Sequence, residues 1–143
     1  MLALGCDHGG WELKEAAKKY LDENKIEYED YGCFDTQSVD YPAYAKKVAE
    51  AVAEKRAEKG LLFCGTGLGM MLCANKYEGV RAVCTSDVFS VEFSRMHNNA
   101  NVLTLGGRVV GEGLAIKLID TFLKTEFEGG RHAKRVEMYD KIL

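Results

Sequence analysis

A chain of 143 residues, 47% apolar and 29% charged with a formal net charge of −3, has the length of one domain and enough apolar content to bury a core. Disorder is excluded by that apolar fraction, and 15 Gly beside a single Pro exclude a collagen-like or linker-rich protein. No apolar run approaches the roughly 20 residues of a bilayer span and no basic-then-apolar leader opens the chain, so a cytoplasmic protein with no membrane partner is expected.

Leu2 to Cys6 is a short apolar run, the first predicted strand, and it stops at Asp7-His8-Gly9-Gly10. Trp11 to Asn24 then reads as a helix, because Leu13, Ala16, Ala17, Tyr20 and Leu21 form one apolar stripe. A weaker strand around Ile26, Tyr28 and Asp30-Tyr31 precedes a loop from Gly32 to Asp40. Pro42 suits a first helical turn, and the face made by Tyr44, Ala45, Val48, Ala49, Val52 and Ala53 predicts a helix to about Lys55. Three further apolar runs follow, Leu61–Cys64, Arg81–Cys84 and Val102–Leu105, each succeeded by Gly or polar residues and a helical pattern. The last of those patterns runs from about Glu112 to Lys124; Gly129-Gly130 then make a swivel before a terminal helix, Arg131 to Leu143.

Five apolar strands alternating with helices predict a five-stranded parallel sheet in a three-layer α/β/α sandwich of the Rossmann-like type, a single domain over residues 1–143. In such sheets ligands sit beyond the carboxyl ends of the strands. The segments Cys6–Gly10 and Cys64–Gly69, with the stretches after Cys84 and Leu105, therefore become the places to look.

Gly65-Thr66-Gly67-Leu68-Gly69 follows a predicted strand and opens a helix, so its N–H groups are free to meet an anion. It matches neither the P-loop nor the dinucleotide fingerprint, which leaves no nucleotide cofactor implied. Cys64 stands immediately before those N–H groups, where a thiol can serve as base or nucleophile. A C-x5-R phosphatase is excluded, since Met70 stands six residues beyond Cys64 and Glu12 six beyond Cys6. Asp7 and His8 share the same sheet edge, and His97 lies in the polar run Ser94–Asn101, where it can act as a general acid. The three His have no zinc-ligand spacing, so no metal is expected. Five of the six Arg (Arg81, Arg95, Arg108, Arg131, Arg135) fall in the later half, and the guanidinium fork suits phosphate. Arg131 and Arg135 share one helix face, a phosphate clamp or a solvated basic face. The net negative charge argues against a nucleic-acid partner. The five Cys form no C-x-x-C pair and read as reduced thiols.

Taken together, Cys6-Asp7-His8-Gly9-Gly10, Ser38-Val39-Asp40-Tyr41-Pro42, Cys64–Gly69 with Ala74-Asn75-Lys76, Ser94–Asn98, and Gly129–His132 with Arg135 closely resemble the ribose-5-phosphate isomerase B family, which includes galactose-6-phosphate isomerase subunits and allose-6-phosphate isomerases. The resemblance spans essentially the whole chain and implies metal-independent interconversion of ribose 5-phosphate and ribulose 5-phosphate, a step of the pentose phosphate pathway, through an enediolate. It implies Cys64 as the base between C1 and C2, with Thr66 and the N–H groups of Gly65, Gly67, Leu68 and Gly69 on the enediolate oxygens. It further implies His97 in ring opening, Asp7 and Asn98 on sugar hydroxyls or the ring oxygen, and His8, Arg108, Arg131 and Arg135 on phosphate. No cofactor is implied. A homodimer or tetramer is, with the site shared between subunits and residues 129–143 as an arm reaching a neighbour. One branch of the family has a Glu base after the glycine loop; here that position is Met70, and Met71 is bulkier than the residue many relatives carry.

Overall fold

The computed structural model describes residues 1–142. In chain order the elements are β1 (Leu2–Cys6), α1 (Trp11–Glu23), β2 (Tyr28–Asp30), α2 (Tyr41–Ala53), β3 (Lys59–Cys64), α3 (Leu68–Ala74), β4 (Ala82–Cys84), α4 (Val88–Met96), β5 (Val102–Gly106), α5 (Glu112–Lys124) and α6 (Arg131–Asp140). The expected end of the last helix, Leu143, lies outside the described residues. All five strands are parallel and ordered β2-β1-β3-β5-β4. Helices α1, α4 and α5 pack on one face and α2 and α3 on the other, the expected three layers. Among the described residues no helix is long and apolar enough to cross a membrane.

Alternation along the strands divides the core between the two faces. Leu61 and Phe63 of β3 join Leu4, Leu103, Leu105, Ile119 and Phe122 on one side, while Leu62 and Cys64 join Val48, Met70, Ala74 and Val102 on the other. The second face is shallow, because Gly5 and Gly60 leave room for α2. A Cβ on either glycine would lie 2.9 or 2.7 Å from a methyl of Val48. Pro42 sits in the first turn of α2, as its fixed φ allows.

One side chain breaks the amphipathic reading of α1. Lys14 is fully buried, its Nζ 2.7 Å from the Asp30 carboxylate and donating to the Cys33 carbonyl at 2.5 Å. A buried charge persists only when paired and hydrogen-bonded, and here the pair ties α1 to the end of β2 and to the loop that follows.

Candidate active site

The order of strands places the site. β1 and β3 are neighbours, but the chain leaves β1 toward α1 on one face and β3 toward α3 on the other, so a crevice opens between their carboxyl ends. Asp7 closes the first loop: its backbone N–H donates to the Phe63 carbonyl at 3.0 Å, and its carboxylate accepts from the N–H groups of Gly9 at 2.8 Å and Gly10 at 3.2 Å. Beside it, His8 Nδ1 accepts from the Val39 N–H at 3.1 Å. In the neutral ring that bond assigns the proton to Nε2, which is left as a donor.

Cys64 ends β3 with only 5% of its surface exposed, and its Sγ accepts from the Gly67 N–H at 3.0 Å. Gly67 has a φ of 85°, and a Cβ there would lie 2.8 Å from Cys84 Sγ, so conformation and space both demand glycine. Thr66 is exposed, with Oγ1 accepting from the Leu68 N–H at 3.2 Å. Among the described residues the N–H groups of Gly65 and Thr66 donate to no protein acceptor, and Gly69 lies in the first turn of α3, whose N–H groups have no intrahelical partner. The missing Cβ of Gly69 admits the ring of Tyr41. From the loop after β5, Gly107 N–H donates to the Cys64 carbonyl at 2.8 Å and Arg108 N–H to that of Gly65 at 3.0 Å, which lays the Arg108 guanidinium over the glycine loop. A polar cleft of about 430 Å³ is lined by His8, Gly9, Thr36 and Arg108 together with the carboxylate residues Glu12 and Glu112.

The remaining predicted residues gather at the opposite edge of the sheet. Because α4 descends from the end of β4 to the start of β5, His97 and Asn98 lie at the amino ends of the strands. Five strand residues, about 17 Å, separate that edge from the one carrying Cys64. The His97 ring stacks on that of His132 with centroids 4.0 Å apart, and Phe93 meets it edge-on at 4.8 Å. Gly129 and Gly130, both at positive φ, turn the chain into α6. That helix packs on its own chain through His132 and Val136, the Asp140–Arg81 ion pair at 3.1 Å, and a hydrogen bond from Tyr139 Oη to the Asn98 carbonyl at 2.7 Å. Arg131 and Arg135 stay exposed on it. Burial, then the positive fields of His97 and Arg131, hold the His132 imidazole below its ordinary pKa.

Each chain thus holds two groups that do not meet within it: Asp7, His8, Cys64, Gly65–Gly69 and Arg108 at one edge, His97, Asn98, Arg131 and Arg135 at the other. Two of the five later arginines are not free for an anion. Arg95 is buried and donates to the carbonyls of Thr125 and Ala100 and to Asn99 Oδ1, while Arg81 is held by Asp140 and the Asn99 carbonyl. Met70 is wholly buried in the cluster that backs Cys64, and Met71 is half-buried against it, so neither projects as a free group. Sequence reasoning missed Lys14, Glu128 and the stacking of His132. Lys14 and Asp30 are 16 positions apart and His97 is 35 from His132, so only the i,i+4 spacing of Glu128 and His132 was a local signal.

The profile of the Ribose/Galactose Isomerase family matches residues 2–139. Ribose-5-phosphate isomerase B of Escherichia coli is 46% identical over 141 residues, covering 99% of this chain and 95% of that protein. Among solved structures, ribose-5-phosphate isomerase B of Clostridium thermocellum superposes with a TM-score of 0.97 at 45% identity, covering 99% of this chain and 95% of its own. The Thermotoga maritima ribose 5-phosphate isomerase gives a TM-score of 0.96 at 47% identity, with coverage of 99% and 97%. With the glycine loop, the cysteine before it and an alignment that spans nearly the whole chain, the chain belongs to the ribose/galactose isomerase family of sugar-phosphate isomerases.

Proposed function

We propose that the chain interconverts D-ribose 5-phosphate and D-ribulose 5-phosphate through a cis-enediolate, with the Cys64 sulfur as the base. The observation that carries this reading is the placement of Cys64 Sγ, 3.0 Å from the Gly67 N–H and beside the unpaired N–H groups of Gly65 and Thr66. The thiolate takes the proton from C2 of the open-chain aldose. The C–H electron pair then forms the C1–C2 double bond, and the carbonyl π pair moves onto O1. Preorganised donors are worth most where such charge develops, and the glycine loop supplies them without reorganisation. Transfer of the O2 proton to O1 then lets the C2–O2 electron pair form the C2 carbonyl as the thiol returns a proton to C1, which gives the ketose. The base must take and give back one proton, which a thiol does well near neutral pH.

His8 and Arg108 line the polar cleft beside the loop, and this supports them as part of the phosphate site. Asp7 is turned by Gly9 and Gly10 toward the crevice, where its free oxygen can accept from a sugar hydroxyl. His97 as the ring-opening acid, Asn98 on the sugar, and Arg131 and Arg135 on phosphate require a second copy, because in one chain they lie at the far edge. Leu68, Leu72, Phe89 and Val109 are large apolar side chains left exposed near the carboxyl edge and in α3 and α4, which supports a homodimer or larger assembly with shared sites. All five Cys are free thiols, in keeping with a reducing cytoplasm.

A steady-state assay over ribose 5-phosphate, allose 6-phosphate and galactose 6-phosphate tests the substrate, with ribose 5-phosphate expected to turn over fastest. Cys64→Ala is expected to lower kcat by about 10²- to 10⁴-fold while phosphosugar binding persists. Turnover retained in Cys64→Ala would remove the thiol from the reaction.

A further inference from the structure

Glu128 stands between two imidazoles at the amino edge of the sheet. Its Oε1 is 3.8 Å from His97 Nε2 and its Oε2 is 3.7 Å from His132 Nε2. One ligand atom from each of the three residues falls within 4.8 Å of the others. Independently, His132 is 6% exposed, and its buried Nε2 has no hydrogen-bond partner among the described residues. A buried imidazole nitrogen left without a partner is unusual, and a lone pair facing a carboxylate and a second imidazole is what a divalent cation satisfies.

We propose that His97, Glu128 and His132 form a zinc site whose occupation switches the enzyme off. Two imidazoles and one carboxylate suit a borderline cation such as Zn²⁺ rather than Mg²⁺ or Ca²⁺, which prefer oxygen donors. Bond lengths of 2.0–2.2 Å place tetrahedral ligands about 3.4 Å apart, so each imidazole is a few tenths of an ångström too far from its own Glu128 oxygen, and a set spread over as much as 4.8 Å must close by roughly 1.4 Å at its widest. The imidazole planes are within 10° of parallel with centroids 4.0 Å apart, so no single ion lies in both ring planes. Convergence requires one ring to turn. His132 is locked by burial, whereas the His97 side chain is 32% exposed and sits at the end of α4, so His97 is the ring that turns. The fourth position faces solvent and is taken by water. No electrons move on binding; any proton on the ligands is released to solvent.

The site also spans two elements. Glu128 is tied to α4 by its backbone N–H, which donates to the Met96 carbonyl at 3.0 Å, and His132 belongs to the first turn of α6. A bound ion would therefore staple the terminal helix to the end of α4 and hold the His97 ring away from substrate. Zinc binding itself stands apart from the isomerase reading; the inhibition rests on His97 acting in ring opening.

Titration calorimetry of the full chain with zinc chloride, alongside turnover measured with zinc and then with excess EDTA, tests both parts. One zinc per chain, inhibition reversed by EDTA, and a loss of affinity of at least about 10-fold in Glu128→Gln support the site. The cobalt derivative separates it from a thiol site: a spectrum without a thiolate-to-cobalt charge-transfer band supports the proposal, and a spectrum with one overturns it. Affinity unchanged in Glu128→Gln, or no zinc uptake by the wild-type chain, also overturns it. Calorimetry remains readable whether or not Glu128→Gln turns over substrate. Zinc bound through these ligands without loss of turnover overturns the switch, while the isomerase reading, which is carried by Cys64, stands.

Discussion

At the carboxyl edge of the sheet three loops hold one another chiefly through their backbones, whereas at the amino edge a network of side-chain hydrogen bonds is added to the backbone ones. In the first region Asp7, Gly107 and Arg108 donate backbone N–H groups to the carbonyls of Phe63, Cys64 and Gly65. The loops are so close that a Cβ on Gly10 would lie 2.2 Å from the Phe63 carbonyl carbon, and one on Gly107 2.3 Å from the Gly9 oxygen. In the second region Arg95 reaches three acceptors, Asn75 bonds both backbone groups of Ala82, and Asn101 accepts from the Arg81 N–H. A backbone lock offers no rotamer to relax into, which suits donors that must already be in place when charge develops. A side-chain network leaves such freedom, and it supports the partly exposed His97 and the exposed arginines of α6.

The contrast can be broken most forcefully at its exception, the His8 loop, which hangs on the buried Lys14–Asp30 pair. Lys14→Met leaves Asp30 charged and without its main partner, and we expect a loss of about 3–5 kcal/mol in urea unfolding. A loss below 1 kcal/mol would mean that backbone contacts alone hold this edge too. Gly10→Ala comes next, at about 3 kcal/mol, because its methyl has only backbone to displace. A neutral result there would remove the interlock. Arg95→Met is expected to cost about 2 kcal/mol by leaving buried carbonyls unpaired, with faster hydrogen exchange at 97–101 but not at 65–69. Exchange quickened at both edges would show that the two regions are one unit.

The smallest effect is one of pH. Burial alone would raise the Asp30 carboxyl, but hydrogen bonds from Lys14, the Gly32 N–H and Lys18 together outweigh it and hold its pKa below the ordinary carboxylate value. A carboxylate depressed in the fold contributes its stability above the unfolded pKa, about 3.9, and loses it as pH falls through the folded value. The urea midpoint of the wild type is therefore expected to fall more steeply below about pH 4 than that of Asp30→Asn. Parallel curves would assign the acid response to other carboxylates.

Buried parallel strands read as apolar runs ended by glycine, which is why Leu2–Cys6 emerges from the sequence with its bounds intact and β3 and β5 to within two residues. The glycine loop and its cysteine were legible for a related reason: their chemistry lies in consecutive residues. Strand order was not legible, since the insertion of β5 between β3 and β4 is a tertiary choice. Arg81 and Arg95 looked like anion ligands because composition cannot distinguish a guanidinium facing a phosphate from one facing carbonyls of its own chain. Lys14 stands outside the apolar stripe of α1, and only the arrival of Asp30 from β2 explains its burial. In the His97–Glu128–His132 cluster only Glu128 and His132 share a local spacing, four residues; His97 joins them from more than 30 positions away, which no spacing rule announces.

The descent of α4 has a consequence for genetics. On the shared-site reading, each polypeptide lends its two ends to two different reaction centres. Two inert versions, one carrying Cys64→Ala and the other Arg131→Ala with Arg135→Ala, would then rescue each other when co-expressed. Random pairing leaves about a quarter of the centres whole, so a cell with both defective alleles would outgrow a cell with either alone.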